Sequence, residues 1–241
     1  GSAAESVDIT SPSALTITNL AACAGQQYLP YALVGNTALS AEIIGDNRTA
    51  GTRETVTLQY LPGSVPEWYA LQDALAAAQD EPAVAAYLAQ EQTYRDFAAA
   101  RYLQLTPEAA AAAVQLLEGH LTGRTLPELR TAVLDALEAT MTYDETAVTH
   151  CGDADFLQAL LLGGARGYDV HYASAAVLLL RACGVPARYV EGYYLSAADA
   201  ANVSAGQTVV LTEQNAHAWA EYYLDGVGWL PFDASPGYTG L

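Results

Sequence analysis

Three short contexts in this chain bring together residue types that could do chemistry. Asp169 follows a turn bearing Gly163, Gly164 and Gly167 and stands where an apolar helix begins, in Gly-Tyr-Asp-Val-His-Tyr-Ala. His217 lies in Asn-Ala-His-Ala-Trp, and Asp233 closes Gly-Trp-Leu-Pro-Phe-Asp. An imidazole can hold and pass a proton near neutral pH. A carboxylate can orient an imidazole, and a helix N-terminus stabilises an anion placed beside it. These are parts of acyl-transfer chemistry, which also needs a nucleophile such as a thiolate at the helix start. Residue 169 offers no thiol. Aspartate is among the best N-caps, and its attack on an amide would have to pass through a mixed anhydride.

The elements that must position these groups follow from local pattern. Residues 170–182 are apolar almost all round, which predicts a helix buried on every side. Gly184 and Pro186 supply its stop. Residues 188–195, 208–212, 216–224 and 229–232 read as strands, with Asp225 and Gly226 turning a hairpin between the last two. Strand parity sets His217, Trp219 and Glu221 on one face and Ala218, Ala220 and Tyr222 on the other. Asp233 shares the face of Trp229 and Pro231, and as a strand-end aspartate it also suits a turn. Residues 196–206 read as a surface loop. Arg188 is expected to pair with a buried acid.

Upstream the pattern is different. Residues 66–162 read as helical. Thr106, Pro107 and Glu108 form a start signal that Thr125, Pro127 and Glu128 repeat, and Gly119 and Gly123 supply stops. The alanine run between the two starts is a strong helix former. Residues 5–62 read as β-rich, with turn signals at 45–48 and 49–51 and closure at Leu61, Pro62 and Gly63. The expected fold class is α+β: a buried helix packed on an antiparallel sheet, after a helical lobe and a small N-terminal β-rich appendage. The expected boundaries are 1–63 for the appendage and 64–241 for the main domain, with the helical lobe at 64–162 and the core at 163–241.

The order and context of Asp169, His217 and Asp233, with the Gly184-Val185-Pro186-Ala187-Arg188 turn, resemble the bacterial branch of the transglutaminase-like superfamily, a papain-like cysteine fold. The resemblance covers roughly residues 150–235. It implies that position 169 is the nucleophile slot, cysteine in the family and aspartate here, that His217 is the general acid–base and that Asp233 orients it. Tyr168, His171 and Trp219 become cleft candidates, although His171 also reads as a helix residue satisfied by a nearby carbonyl. The backbone N–H of residue 169 would be one oxyanion donor, and Gln158 and Gln214 are candidates for the second only by type. An ionised Asp169 facing His217 would reproduce the charge arrangement of a thiolate–imidazolium pair, so His217 is expected to be pushed toward the imidazolium form.

The implied function is a cysteine acyltransferase or peptidase acting on protein or peptide amides, inactive with aspartate at 169, whether that aspartate is natural or introduced. A non-catalytic peptide- or protein-binding module is the alternative, and a structural spacer is a third. Sixteen tyrosines against three phenylalanines suit a polar, aromatic-lined binding surface. The family also implies a place outside the cytoplasm, as the outer domain of a membrane-anchored bacterial protein. The opening Gly-Ser reads as a cloning scar on an excised piece, with any membrane attachment in parts of the parent absent from it.

Composition narrows the partners. The formal net charge is −18, which opposes contact with nucleic acid, anionic lipid or anionic wall polymers. All nine basic residues are arginine, a bias that goes with the many alanines. A self-protecting absence of lysine in a crosslinking enzyme is the sharper alternative. Cys23, Cys151 and Cys183 do not make a disulfide framework, and Cys183 reads as a buried small hydrophobe. Cys151 beside His150 is too little for a metal site, so neither a metal nor a cofactor is expected.

Overall fold

The computed structural model describes residues 12–20, 28–34, 42–43, 49–50, 55–61, 65–118, 124–147, 160, 162, 164 and 166–238. The readings attached to Cys23, residues 45–48, Gly51, Pro62, Gly63, Gly119, Gly123, His150, Cys151, Gln158 and Gly163 lie outside them. The chain divides into two compact units, Gly1–Asp80 and Glu81–Leu241.

The first unit holds the strands β1 (Ser13–Thr18), β2 (Glu42–Ile43), β3 (Thr49–Ala50) and β4 (Thr55–Tyr60) and the helix α1 (Val65–Ala77). β1 pairs antiparallel with β4, and β2 with β3. Val56 and Leu58 alternate with exposed threonines along β4 and are buried, the period-two signature of a strand with one dry face. The expected boundary at 63/64 falls where strand gives way to helix, inside this unit.

The second unit opens with α2 (Pro82–Tyr102), α3 (Pro107–Leu116) and α4 (Leu126–Thr140). Both start signals act as local chemistry dictates. Thr106 Oγ1 accepts from the N–H of Ala109 at 3.1 Å. At α4 the Glu128 carboxylate reaches back and accepts from the Thr125 N–H at 2.7 Å and from its hydroxyl at 2.8 Å. Both contacts satisfy groups that a helix end would otherwise leave orphaned. The alanine run turns Ala109, Ala112 and Ala113 inward, at the i, i+3, i+4 spacing of one helix face. Short strands β5 (Thr142–Tyr143) and β6 (Arg166–Gly167) then pair in parallel.

The next helix, α5 (Asp169–Ala182), is the centre of the unit. It packs on α3, α4 and the strands β7 (Ala187–Tyr193) and β8 (Ala216–Leu224). That is why its sequence is apolar all round: eight of its residues are buried, three of them alanines that let neighbours approach closely. Its C-terminus follows the expected stop, Gly184 taking φ +78° where a Cβ would be strained. Arg181 ties this end down, donating from Nε to the Ala187 carbonyl and from a terminal nitrogen to the Gln104 carbonyl.

β9 (Gly228–Phe232) completes an antiparallel sheet of order β7-β8-β9. Ala218, Ala220 and Tyr222 are fully buried on one face, as parity requires. On that side the Arg130 guanidinium from α4 lies over the rings of Tyr222 and Phe232. On the opposite face, at the hairpin end, Ala98 and Tyr102 of α2 pack against Tyr223 and Trp229. Tyr223 donates to Glu91, and the Trp229 indole donates to the Tyr94 hydroxyl. Arg188 meets its acid: the guanidinium pairs with buried Glu221 and lies 4.2 Å from the Trp229 ring centroid.

Four readings need correction. The stretch 64–162 is not helical throughout, because the strand β5 (Thr142–Tyr143) lies within it. Residues 208–212 are not a strand. They run as an exposed loop with Val209 and Val210 open to solvent, and Thr212 caps the short 3-10 turn Glu213–Asn215. The loop at 196–206 contains one helical turn, Ala197–Ala200. Cys183 is half-buried at the end of α5, not enclosed, and burial pushes its thiol pKa up.

Candidate functional site

Asp169 is the first residue of α5, and the preceding Tyr168 takes the N-cap position. Asp169 is therefore one step inside the helix, with its carboxylate still beside the free N–H groups. Oδ1 accepts from the Val170 N–H at 2.7 Å. Oδ2 turns to the sheet, where it accepts from the Ala218 N–H at 3.0 Å and lies 3.0 Å from His217 Nδ1. A single carboxylate thus bridges the helix start and β8.

His217 is the second residue of β8 and is buried. Its other nitrogen, Nε2, is hydrogen-bonded to Asp233 Oδ2. The structure thus brings the three residues into one line, Asp169, His217, Asp233. Side-chain exposure grades along it: 17% at Asp169, 5% at His217 and 1% at Asp233. The more exposed end is position 169, and the closed end is Asp233. Asp233 also folds the chain beyond it, because its Oδ1 accepts from the Ser235 N–H at 2.9 Å. The strand-end turn and the partnership with histidine hold together in one side chain.

Burial by itself disfavours a charged His217 ring. The hydrogen bond to Asp233, the charges of Asp233 and Asp169 and the hydrogen bond to Asp169 outweigh it, and the pKa is raised above the ordinary histidine value. In the protonated ring both N–H groups donate, one to each carboxylate.

The cleft candidates lie close by. Trp219 stands beside the imidazole, with ring centroids 6.1 Å apart and planes 24° from parallel. Its indole lies over Gly192, where an added Cβ would come within 2.6 Å of the ring. Tyr168 packs edge-on against His171 at 4.6 Å. His171 is buried, and its Nδ1 accepts from the Tyr168 N–H at 3.3 Å, which assigns a neutral ring protonated on Nε2. Burial lowers its pKa, against a smaller opposing pull from Asp169. Gly167 makes room for it, since a Cβ there would meet the His171 side chain at 2.8 Å. Gln214 is exposed in the 3-10 turn. The backbone donor that the sheet presents to the side chain at 169 is the Ala218 N–H.

Sequence reasoning missed a group of tyrosines. Tyr238 stacks on His217 with centroids 4.3 Å apart and planes 24° from parallel. Tyr194 meets Tyr238 edge-on at 5.1 Å and lies 5.9 Å from His217. Tyr143, from β5, packs on Tyr172 at 5.9 Å, and burial raises its pKa to about 12, with Glu145, Asp169, Tyr238 and Asp233 adding to the rise. The signal available was the tyrosine count. What it lacked was position, which the turn after Asp233 and the pairing of β5 with β6 supply.

Among the described residues, no group of three or more His, Cys, Asp or Glu side chains is arranged to hold a metal ion. Within the same residues, no helix is long and apolar enough to cross a membrane.

A family model described as the transglutaminase-like superfamily matches residues 112–234, just over half of the chain. The chain is 34% identical over 154 residues to the uncharacterized protein YebA of Bacillus subtilis, a match covering 62% of this chain and 20% of YebA. It is 38% identical over 80 residues to a protein-glutamine gamma-glutamyltransferase of Pseudomonas aeruginosa, covering 33% of this chain and 11% of that protein. Each match thus spans a fifth or less of the relative's length. Among solved structures, the periplasmic domain of TgpA from Pseudomonas aeruginosa aligns with a TM-score of 0.50 at 25% identity, over 78% of this chain and 55% of that one.

Proposed function

This chain belongs to the transglutaminase-like superfamily, and from that premise we propose that its site is a cysteine acyltransferase or peptidase centre for protein or peptide amides, silenced by Asp169. The observation that carries the reading is the double engagement of Asp169 Oδ2 by His217 Nδ1 and the Ala218 N–H. A thiolate at the start of α5 would need the same two donors, an imidazolium and a fixed backbone N–H. The carboxylate supplies the negative charge that this arrangement balances and supplies no sulfur. Its own attack on an amide would give a mixed anhydride, a higher-energy intermediate than a thioester. What is left is a recessed anion and imidazole edged by Tyr238, Tyr194 and Trp219. Aromatic rings with polar tips suit the holding of a peptide segment, so the domain in this form binds a protein or peptide without turning it over. The likeness to a periplasmic domain supports a place outside the cytoplasm.

The test is Asp169→Cys, with iodoacetamide labelling mapped to each cysteine. Cys183, whose thiol pKa is raised by burial, is the internal reference. The new thiol should react about tenfold faster than Cys183 at pH 7, the gain expected of a thiolate after allowance for its lower intrinsic nucleophilicity. His217→Ala in the same background should abolish the difference. Equal, slow labelling with and without His217 overturns the reading.

A further inference from the structure

The turn that begins at Asp233 does more than close the strand. Asp233 Oδ1 holds the Ser235 N–H, and the Ser235 carbonyl accepts from the Tyr238 N–H at 3.0 Å. Ser235 is completely buried. These two bonds fix residues 233–238 as a compact turn that brings Tyr238 to β8. At its far end the half-buried Tyr238 ring lies nearly parallel to the His217 imidazole at 4.3 Å. Tyr194 braces it from the side at 75°. Trp219 also lies nearly parallel to the imidazole, at 6.1 Å.

We propose that Tyr238 is a positioning residue for His217: its π face clamps the imidazole with one nitrogen on each carboxylate and stabilises the doubly protonated ring. The inference deepens the functional reading given above and rests on it for its catalytic meaning.

Two physical effects act together. The ring face carries the negative part of the aromatic quadrupole, and a cation within about 6 Å of the centroid is attracted to it. The parallel contact also blocks rotation of the imidazole about its Cβ–Cγ bond, so both nitrogens stay aimed, Nδ1 at Asp169 and Nε2 at Asp233. The charged and titratable groups around the ring are Asp169 at the start of α5, Asp233 after β9, and the phenols of Tyr194 and Tyr238; Glu145, beyond β5, acts on Tyr238. Burial and the neighbouring carboxylates raise the Tyr238 pKa, so the phenol stays neutral where the histidine titrates. The hydroxyl is not needed for the clamp, and the ring face is.

The experiment is an NMR titration of His217 in the full chain, with three substitutions at one position. Tyr238→Phe keeps the face and should leave the midpoint in place. Tyr238→Leu keeps bulk without a π face, and Tyr238→Ala removes both. Each of these two should lower the midpoint by about half a unit, the shift expected from a partly exposed cation–π contact. In the Asp169→Cys background, Leu and Ala should slow alkylation at 169 about threefold, and Phe should restore it. An unchanged midpoint in Tyr238→Ala overturns the proposal, as does a Leu variant that titrates like the Phe variant. The titration needs no thiol. Slow labelling at 169 with a midpoint that still follows the ring face would remove the acyltransferase reading and leave the clamp standing.

Discussion

His217 sits between two acids, and that has a direct consequence for stability. Its pKa is raised in the folded chain: burial opposes the charge, and Asp233 and Asp169 overcome it. A group whose folded pKa exceeds its unfolded value stabilises the fold fully below the unfolded value, near 6.5 for histidine, and loses that contribution as pH rises through the folded value. The thermal midpoint should therefore fall across that window, and His217→Gln should flatten the profile there; a parallel pair of profiles would refute the coupling. The alignment of Asp169, His217 and Asp233 was legible because each stands in a short, distinctive context at the end of one element. Tyr238 was not legible, because five residues of turn geometry decide whether its ring reaches the imidazole or points to solvent. The Nδ1 contact of His171 was not legible for a similar reason. A neutral imidazole can accept as well as donate, and only coordinates show that it faces the N–H of Tyr168.

At the scale of elements, legibility followed the locality of the signal. Thr106 and Thr125 start helices because caps act within three residues. The apolar character of α5 announced burial because a helix wrapped by two helices and a sheet has no wet face. Residues 208–212 failed as a strand because β-propensity records packing on a half-buried pleated surface, and among the described residues none pairs with this run. Within β7, Gly192 is the position where the sheet admits Trp219 beside the site. Gly192→Ala should force the indole aside and cost about 1–3 kcal/mol, the usual penalty for overpacking. Denaturant unfolding measures this cost, and the His217 ring signals should shift with it. A variant with unchanged stability and unchanged His217 signals would show that the indole has room to move.

For the molecule as a whole, charge is the dominant property. Nine arginines face 27 acidic residues, and such an excess destabilises a compact chain through self-repulsion that salt screens. The thermal midpoint should rise by a few degrees between roughly 10 mM and 0.5 M sodium chloride; a flat or falling response would place the acids in compensated arrangements. This property was fully readable from composition. The place of the tyrosines beside the site was not, because it depends on how β5, the segment after β7 and the turn after Asp233 converge. Asp169 has its own consequence at this scale. With one oxygen on α5 and the other on β8, it rivets the central helix to the sheet. A thiol has a single acceptor atom and cannot fasten both sides. Asp169→Cys should therefore melt lower than the parent, by about 1–3 kcal/mol of lost charge-assisted hydrogen bonding. On the function we propose, the atom that would arm the site and the atoms that weld helix to sheet compete for one position.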